Sequence, residues 1–369
     1  MLREAIAVLG LVGVSAAGTA VPAAAAGGDR PQLRRLLDTI TTEDGAPGAF
    51  AEVGDRHGRT VLTSGVGDVR TRAPMPERSH WRIGSITKTF TATVVLQLVD
   101  DGRIDLDAPV ERYLPGVVRG NGNDGRNITV RHLLQHTSGL PDYLDDLGID
   151  EVVEHPFTHY EPRELLDLAL GRPPGFEPGT DWAYSNTGYV VAGLIVEEVT
   201  GRPLGDEVER RILEPLRLNG TRAPRDSAAL PWPHPHGYVR TDGPLLDRTW
   251  LNPSAAFANG SMASGGTDLN RFYAALLDGR LLRPGTLREM TTITGVSDDY
   301  GLGLMRVPLS CGGYLWGHGG ETIGFTGFSG TTGDGRSATV MANVGPELGD
   351  SGRSHLQEAL DTALCEDAA

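Results

Sequence analysis

The chain reads as an α/β protein in which a sheet built from both ends of the sequence encloses a helical middle. Three patterns predict this: a β-hairpin near the N-terminus, three strands near the C-terminus, and helical segments broken by Pro/Gly loops between them. Asp29 to Thr41 places Leu33, Leu36, Leu37 and Ile40 at helical spacing and stops at Asp44-Gly45, which predicts an amphipathic helix. "GAFAEVGD" and "RTVLTSGVGDV" alternate around Arg56-His57-Gly58 and predict the hairpin. Helices are expected over Ser85 to Asp101, Val130 to Gln135, Pro162 to Leu170, Thr187 to Thr200, Asp206 to Ile212 and Thr267 to Leu277. "GYLWGHGG", "TIGFTGFSGTT" and "RSATVMANV" predict three more strands, the last two joined by Gly333-Asp334-Gly335, before a final helix from Ser351 to Cys365. The sheet part is expected over residues 27–82 and 255–369 and the mainly helical part over 83–254, with a site in the cleft between them.

Composition narrows what such a cleft binds. The net charge is −15 and the basic residues are scattered, which argues against nucleic acid or an anionic membrane surface as partner. Residues 1–26 read as a signal peptide: Arg3, an apolar run from Ala5 to Ala20, then small residues offering cleavage after Ala26. The rival reading, an N-terminal anchor, has an apolar stretch too short and too rich in Ala and Gly to span a bilayer. Secretion to the cell exterior or cell wall is therefore the expectation. Cys311 and Cys365 suit an oxidising compartment, either as one disulfide or as two separate buried thiols.

The chain holds a single lysine, Lys88, beside 32 arginines. An arginine serves wherever a surface cation is wanted, but guanidinium does not give up its proton, whereas a buried ammonium can. Lys88 stands three residues after Ser85 at the expected start of a helix. That spacing puts both side chains on one face, close enough for the amine to reach the hydroxyl. The helix N-terminus adds free N–H groups and a positive field that favour an oxyanion. Downstream, Tyr184-Ser185-Asn186 precedes a helix and His318-Gly319-Gly320 lies in a strand. Taken singly these are a packed aromatic, a helix cap, a strand histidine and a bulge. In this order behind Ser-x-x-Lys they are the three-part signature Ser-x-x-Lys, Tyr-x-Asn and Lys/His-x-Gly.

On these motifs, and on "LLQHTSGLPDY", "GTDLNRFYAALLDGRLL" and "YGLGLMRVPLSCGGYLWGHGG", the sequence resembles the serine β-lactamase/penicillin-binding protein superfamily over nearly the whole mature chain. It is most similar to secreted D-alanyl-D-alanine carboxypeptidases of actinomycete type and to class C β-lactamases. The resemblance implies a five-stranded antiparallel sheet flanked by helices, with an all-helical insertion, and a disulfide between Cys311 and Cys365. It implies acyl-enzyme chemistry with Ser85 as nucleophile, Lys88 as base and Tyr184 as second proton carrier. Asn186 would hold the substrate's acyl-side amide, His318 would act as an electropositive donor across the cleft, and the backbone N–H groups of Ser85 and Glu321 would form the oxyanion hole. No metal or cofactor is called for, and His132 and His136 are read as structural.

One departure bears on substrate. Where the carboxypeptidases carry a carboxylate-binding Thr-Gly-Thr and an arginine, this chain has Gly319, Gly320 and Glu321, with Met305 at the arginine position and Arg306 beside it. Gly319, Gly320, Glu321 and Arg306 are therefore the expected substrate-binding residues, and Glu321 is expected to repel a substrate's free carboxylate. The function expected is D-alanyl-D-alanine carboxypeptidase on cell-wall peptides. An esterase, D-aminopeptidase or β-lactamase of the same fold is the alternative, and a non-hydrolytic penicillin-binding sensor the alternative of another class. The partners expected are small peptide, ester or β-lactam substrates.

Overall fold

A computed structural model describes residues 30–55, 58–241 and 243–366. The signal-peptide reading of residues 1–26 and part of the Arg56-His57-Gly58 turn lie outside the described residues. Leu33, Leu37 and Ile40 recur at helical spacing, and helix α1 (Pro31–Thr42) buries all three. Strands β1 (Gly48–Asp55) and β2 (Gly58–Asp68) follow as an antiparallel hairpin, and β2 pairs onward with the two-residue strand β3 (Ala73–Pro74). Near the other end run β4 (Met305–Pro308), β5 (Tyr314–Thr322), β6 (Phe325–Thr332) and β7 (Ser337–Ala342). They form one antiparallel sheet in the order β4-β5-β6-β7-β1-β2-β3. The sheet thus has seven strands where five were expected. The additions, β3 and β4, are short edge strands without the long alternating run that marks the others.

Both faces of the central strands are buried, and alternation sorts their side chains into two layers. The main helices after α1 are α2 (Thr87–Asp100), α3 (Asn186–Thr200), α4 (Gly266–Leu277) and, at the end of the chain, α5 (Gly349–Cys365). Ala49, Ala51 and Val53 of β1 and Ala338, Val340 and Ala342 of β7 share a core with α1 and α5, and α2 through α4 belong to the other core. Phe50 and Met341 point the other way, into the larger core shared with α2, α3 and α4. Every residue of α2 from Thr87 to Leu96 is buried, so this helix runs through the middle of the protein. Cys311 and Cys365 are bonded, joining the β4–β5 turn to the end of α5. No helix among the described residues is long and apolar enough to cross a membrane.

Candidate active site

Ser85 lies in a 3₁₀ turn, Gly84–Ile86, that runs directly into α2, rather than in the first α-helical turn itself. The turn sits hard against β5. Gly84 has φ +51°, and a Cβ on it would lie 2.6 Å from the Glu321 carbonyl oxygen and 2.9 Å from the Glu321 nitrogen. A Cβ on Gly320 would lie 1.9 Å from the Ile83 carbonyl. Only glycine at both positions lets the serine turn and the strand approach this closely. The peptide units of Ser85 and Glu321 are thereby brought side by side at the floor of a cleft of about 680 Å³.

Lys88 is fully buried behind Ser85. Its Nζ lies 3.0 Å from Ser85 Oγ, 2.7 Å from Asn186 Oδ1 and 3.0 Å from the Asn259 carbonyl oxygen. Burial lowers its pKa to about 7, and the Asp142 carboxylate pulls the other way. The hydrogen-bond partners fix what the amine can do once it is neutral. A backbone carbonyl can only accept. The Asn186 amide is oriented by donating from Nδ2 to Asp142 Oδ2 at 2.8 Å, so Oδ1 is what faces the amine. A neutral Lys88 has two N–H groups, which these two acceptors take up, and its lone pair is left facing the Ser85 hydroxyl. Asp142 Oδ2 also accepts from the Asn186 backbone N–H at 2.9 Å, which ties the start of α3 to the same point.

Tyr184 stands across this group. Lys88 Nζ lies 4.7 Å from its ring centre. The ring flank is open to the cleft while the hydroxyl end is enclosed; burial raises the phenol's pKa above its ordinary value, and a hydrogen bond with Ser85 opposes this. Tyr184 is therefore a neutral hydroxyl in contact with the serine. His136 fixes the loop that carries it. Its Nδ1 accepts from the Ser185 N–H at 3.1 Å, its carbonyl accepts from the Ala183 N–H at 3.1 Å, and its ring lies 4.3 Å from that of Tyr184.

His318 lines the cleft but does not offer an electropositive donor to it. Burial lowers its pKa to about 3, so the ring is neutral. Because the Gly319 carbonyl can only accept, Nδ1 carries the proton toward it, and Nε2 accepts from the Tyr300 hydroxyl at 2.9 Å. Both ring nitrogens are thus engaged within the protein. Arg306 does not reach the cleft. On β4 it pairs opposite Trp316, and its guanidinium stacks 4.9 Å from the Tyr314 ring, while Met305, of opposite parity, lines the cleft. The substrate-binding expectation for Arg306 is corrected accordingly.

Glu321 points to the outer face of β5, the face covered by α5, and its carboxylate pairs with Arg353 at 2.9 Å; both residues line the cleft rim. Arg353 also binds Asp350 at 2.6 Å. Reading from motifs passed over Asp142, Asn259 and Arg353. Asp142 lies in the quoted "LLQHTSGLPDY" string, but nothing in that string indicates that it will meet Asn186. Among the described residues no cluster of His, Cys, Asp and Glu is placed to hold a metal ion.

A buried amine within hydrogen-bond reach of a serine hydroxyl, with the peptide units of Ser85 and Glu321 side by side, defines the class: an active-site-serine hydrolase fold. The chain belongs to the beta-lactamase family, whose family model matches residues 33–361. It is 30% identical over 311 residues to esterase EstB of Burkholderia gladioli, covering 74% of this chain and 75% of that one. Penicillin-binding protein 4 of Amycolatopsis lactamdurans is 31% identical over 267 residues, 70% of this chain and 66% of that one. Among solved structures, a D-stereospecific amidohydrolase from Streptomyces sp. superimposes with a TM-score of 0.84 at 44% identity, covering 90% of this chain and 98% of that one. D-amino acid amidase from Ochrobactrum anthropi SV3 does so with a TM-score of 0.78 at 28% identity, covering 90% and 96%.

Proposed function

We propose that this protein hydrolyses D-configured amides, and esters with them, through an acyl-enzyme on Ser85. The observation that carries the proposal is the placement of Lys88, 3.0 Å from Ser85 Oγ, where its neutral form would give two N–H groups to Asn186 and Asn259 and its lone pair to the serine hydroxyl. Ser85 Oγ attacks the substrate carbonyl carbon as its proton passes to Lys88 Nζ. The oxyanion that forms is met by the N–H groups of Ser85 and Glu321. Tyr184 then passes a proton to the leaving nitrogen or oxygen as the carbonyl–leaving-group bond breaks. A water attacks the acyl-enzyme by the reverse route, giving the acid and restoring Ser85. Asn186 acts on the base, which it orients, as well as lining the acyl side.

The D-amide preference is supported by the likeness to the Streptomyces amidohydrolase and the Ochrobactrum amidase. The ester alternative is supported by the likeness to esterase EstB. Carboxypeptidase action on D-Ala-D-Ala peptides is the second reading, favoured by the penicillin-binding relative and weakened by Arg306 turned away from the cleft; the repulsion expected of Glu321 is offset by its pairing with Arg353. Export of the protein fits the reading, with the Cys311–Cys365 bond in its favour. The test is steady-state hydrolysis of the D- and L-amides of phenylalanine and alanine beside acetyl-D-Ala-D-Ala, with Ser85→Ala as control. D-amide turnover that is lost in Ser85→Ala is expected. Turnover of the free-acid dipeptide above that of every D-amide would restore the carboxypeptidase.

A further inference from the structure

The cleft runs along the exposed edge of β5 and its two ends differ in kind. At the His318 end stand Tyr184, whose ring lies 6.5 Å from that of His318, Tyr300 and Met305. The strand then passes Gly319, Gly320 and Glu321 to its end at Thr322, about 13 Å further at an extended rise of roughly 3.3 Å per residue, and Ile323 follows in the turn. An apolar patch lines the cleft there, beside Asn252 and Thr322. Ile323, Leu251, Val152 and Ala255 belong to a small apolar cluster separate from the two large cores. Over it lie two short helices, Leu144–Leu147 and Ile149–Glu154. Leu144 and Ile149 line the cleft while 39% and 42% exposed. Two branched aliphatic side chains thus stand half-open, facing the space above the small cluster.

Chemistry assigns the ends. The leaving group needs a proton from Tyr184, so it departs toward the His318 end, and what remains bound to Ser85 extends toward Ile323. We infer that the Ile323 end is an acyl-side pocket for a bulky apolar group, gripped by Leu144, Ile149 and Leu251, and that the two short helices set the acyl preference. This rests on the acyl-enzyme reading above and adds the chemical class of the acyl group. An aromatic or medium aliphatic side chain would cover the exposed faces of Leu144 and Ile149, and an acetyl or alanyl group would leave them wet.

The test keeps the leaving group constant so that only the acyl end varies: Ser85-dependent kcat/KM for p-nitrophenyl acetate, hexanoate and phenylacetate. In the unmodified protein, hexanoate or phenylacetate is expected to exceed acetate at least tenfold, the scale of methylene discrimination in an apolar pocket. In Leu144→Ser and in Ile149→Asn, made separately because each position is already substantially exposed, that ratio is expected to fall by a factor of about 5 or more. A flat series in the unmodified protein, or a ratio unmoved in both variants, overturns the inference. Failure of D-amide turnover with the ester series intact would remove the D-amide preference alone.

Discussion

Replacing Asp142 by asparagine should move the pH dependence of catalysis without dismantling the site. Asp142 Oδ2 is joined to Lys88 Nζ through one amide, by hydrogen bonds of 2.8 and 2.7 Å at either end of Asn186. That relay holds the two charges about 7 Å apart, where at an effective dielectric of about 20 they attract by about 2 kcal/mol. The attraction favours the ammonium and so holds the Lys88 pKa above where burial alone would leave it. Lys88 acts as base only when neutral, so activity should rise with pH through its pKa of about 7. With the carboxylate gone, the neutral form is favoured and the acid limb should fall to between about 5 and 6. Asparagine can still accept from both Asn186 N–H groups through Oδ1, which keeps the tie to Asn186, while the exposed hydrogen bond from the Leu144 N–H to Asp142 Oδ1 is given up. The measurement is kcat/KM from pH 5 to 9, which reports the free enzyme. At pH 6 the neutral fraction should rise from about one tenth to above one half, several-fold relative to the plateau. The plateau itself should drop, because a weaker base removes the proton less effectively. An acid limb that stays at 7, or moves upward, would refute the assignment of that limb to Lys88.

Lys88→Arg should keep the fold yet lose acylation by about 10²–10⁴-fold, because a guanidinium has no lone pair to offer; near-normal labelling of Ser85 by a fluorescent penicillin, read by intact mass, would show that charge alone suffices. Arg353→Gln should unmask Glu321 at the rim. Both side chains are about a third exposed, so solvent screening limits the effect to about 0.5–1 kcal/mol, and kcat/KM for free-acid substrates relative to neutral ones should fall by a factor of about 2–5. Glu321→Gln should move the same ratio upward, and equal ratios in all three proteins would remove Glu321 from substrate selection. Replacing both cysteines by serine should lower unfolding free energy by about 4 kcal/mol for a bridge spanning 54 residues, measured by urea denaturation; an unchanged midpoint would mean that the β4–β5 turn and α5 are held by packing alone.

The long strands of the sheet were legible because each is a sustained apolar alternation bounded by turn residues, as in "RSATVMANV". Strand β4 was not, since four residues after a Gly-rich stretch carry no period. Ser85 and Lys88 could be paired by counting along one helix. Their partners could not: Asn186, Asn259 and Asp142 come from three distant segments, and nothing local marks Asn259 as the carbonyl that meets an amine. Residue type also misled at His318. Its place in the motif suggested a cation, but the surrounding burial, with Tyr300 on one nitrogen and Gly319 on the other, removes the charge. At Arg306 alternation along a strand decided: one position away from Met305, it faces the opposite side.

The pairing of β1 with β7, Ala49 against Ala342, also bears on the order in which the protein comes into being. A ribosome delivers Ser85 and Lys88 long before Glu321, whose amide lies against the serine turn. Until the last strands emerge, β1 has an open edge on the side β7 will fill, and the serine lacks the second amide beside it. Completion of the site must therefore wait for contacts separated by most of the sequence, which makes folding slow relative to helical proteins of this size. The long-unpaired edge of β1 would then be the first place for two unfinished copies to join.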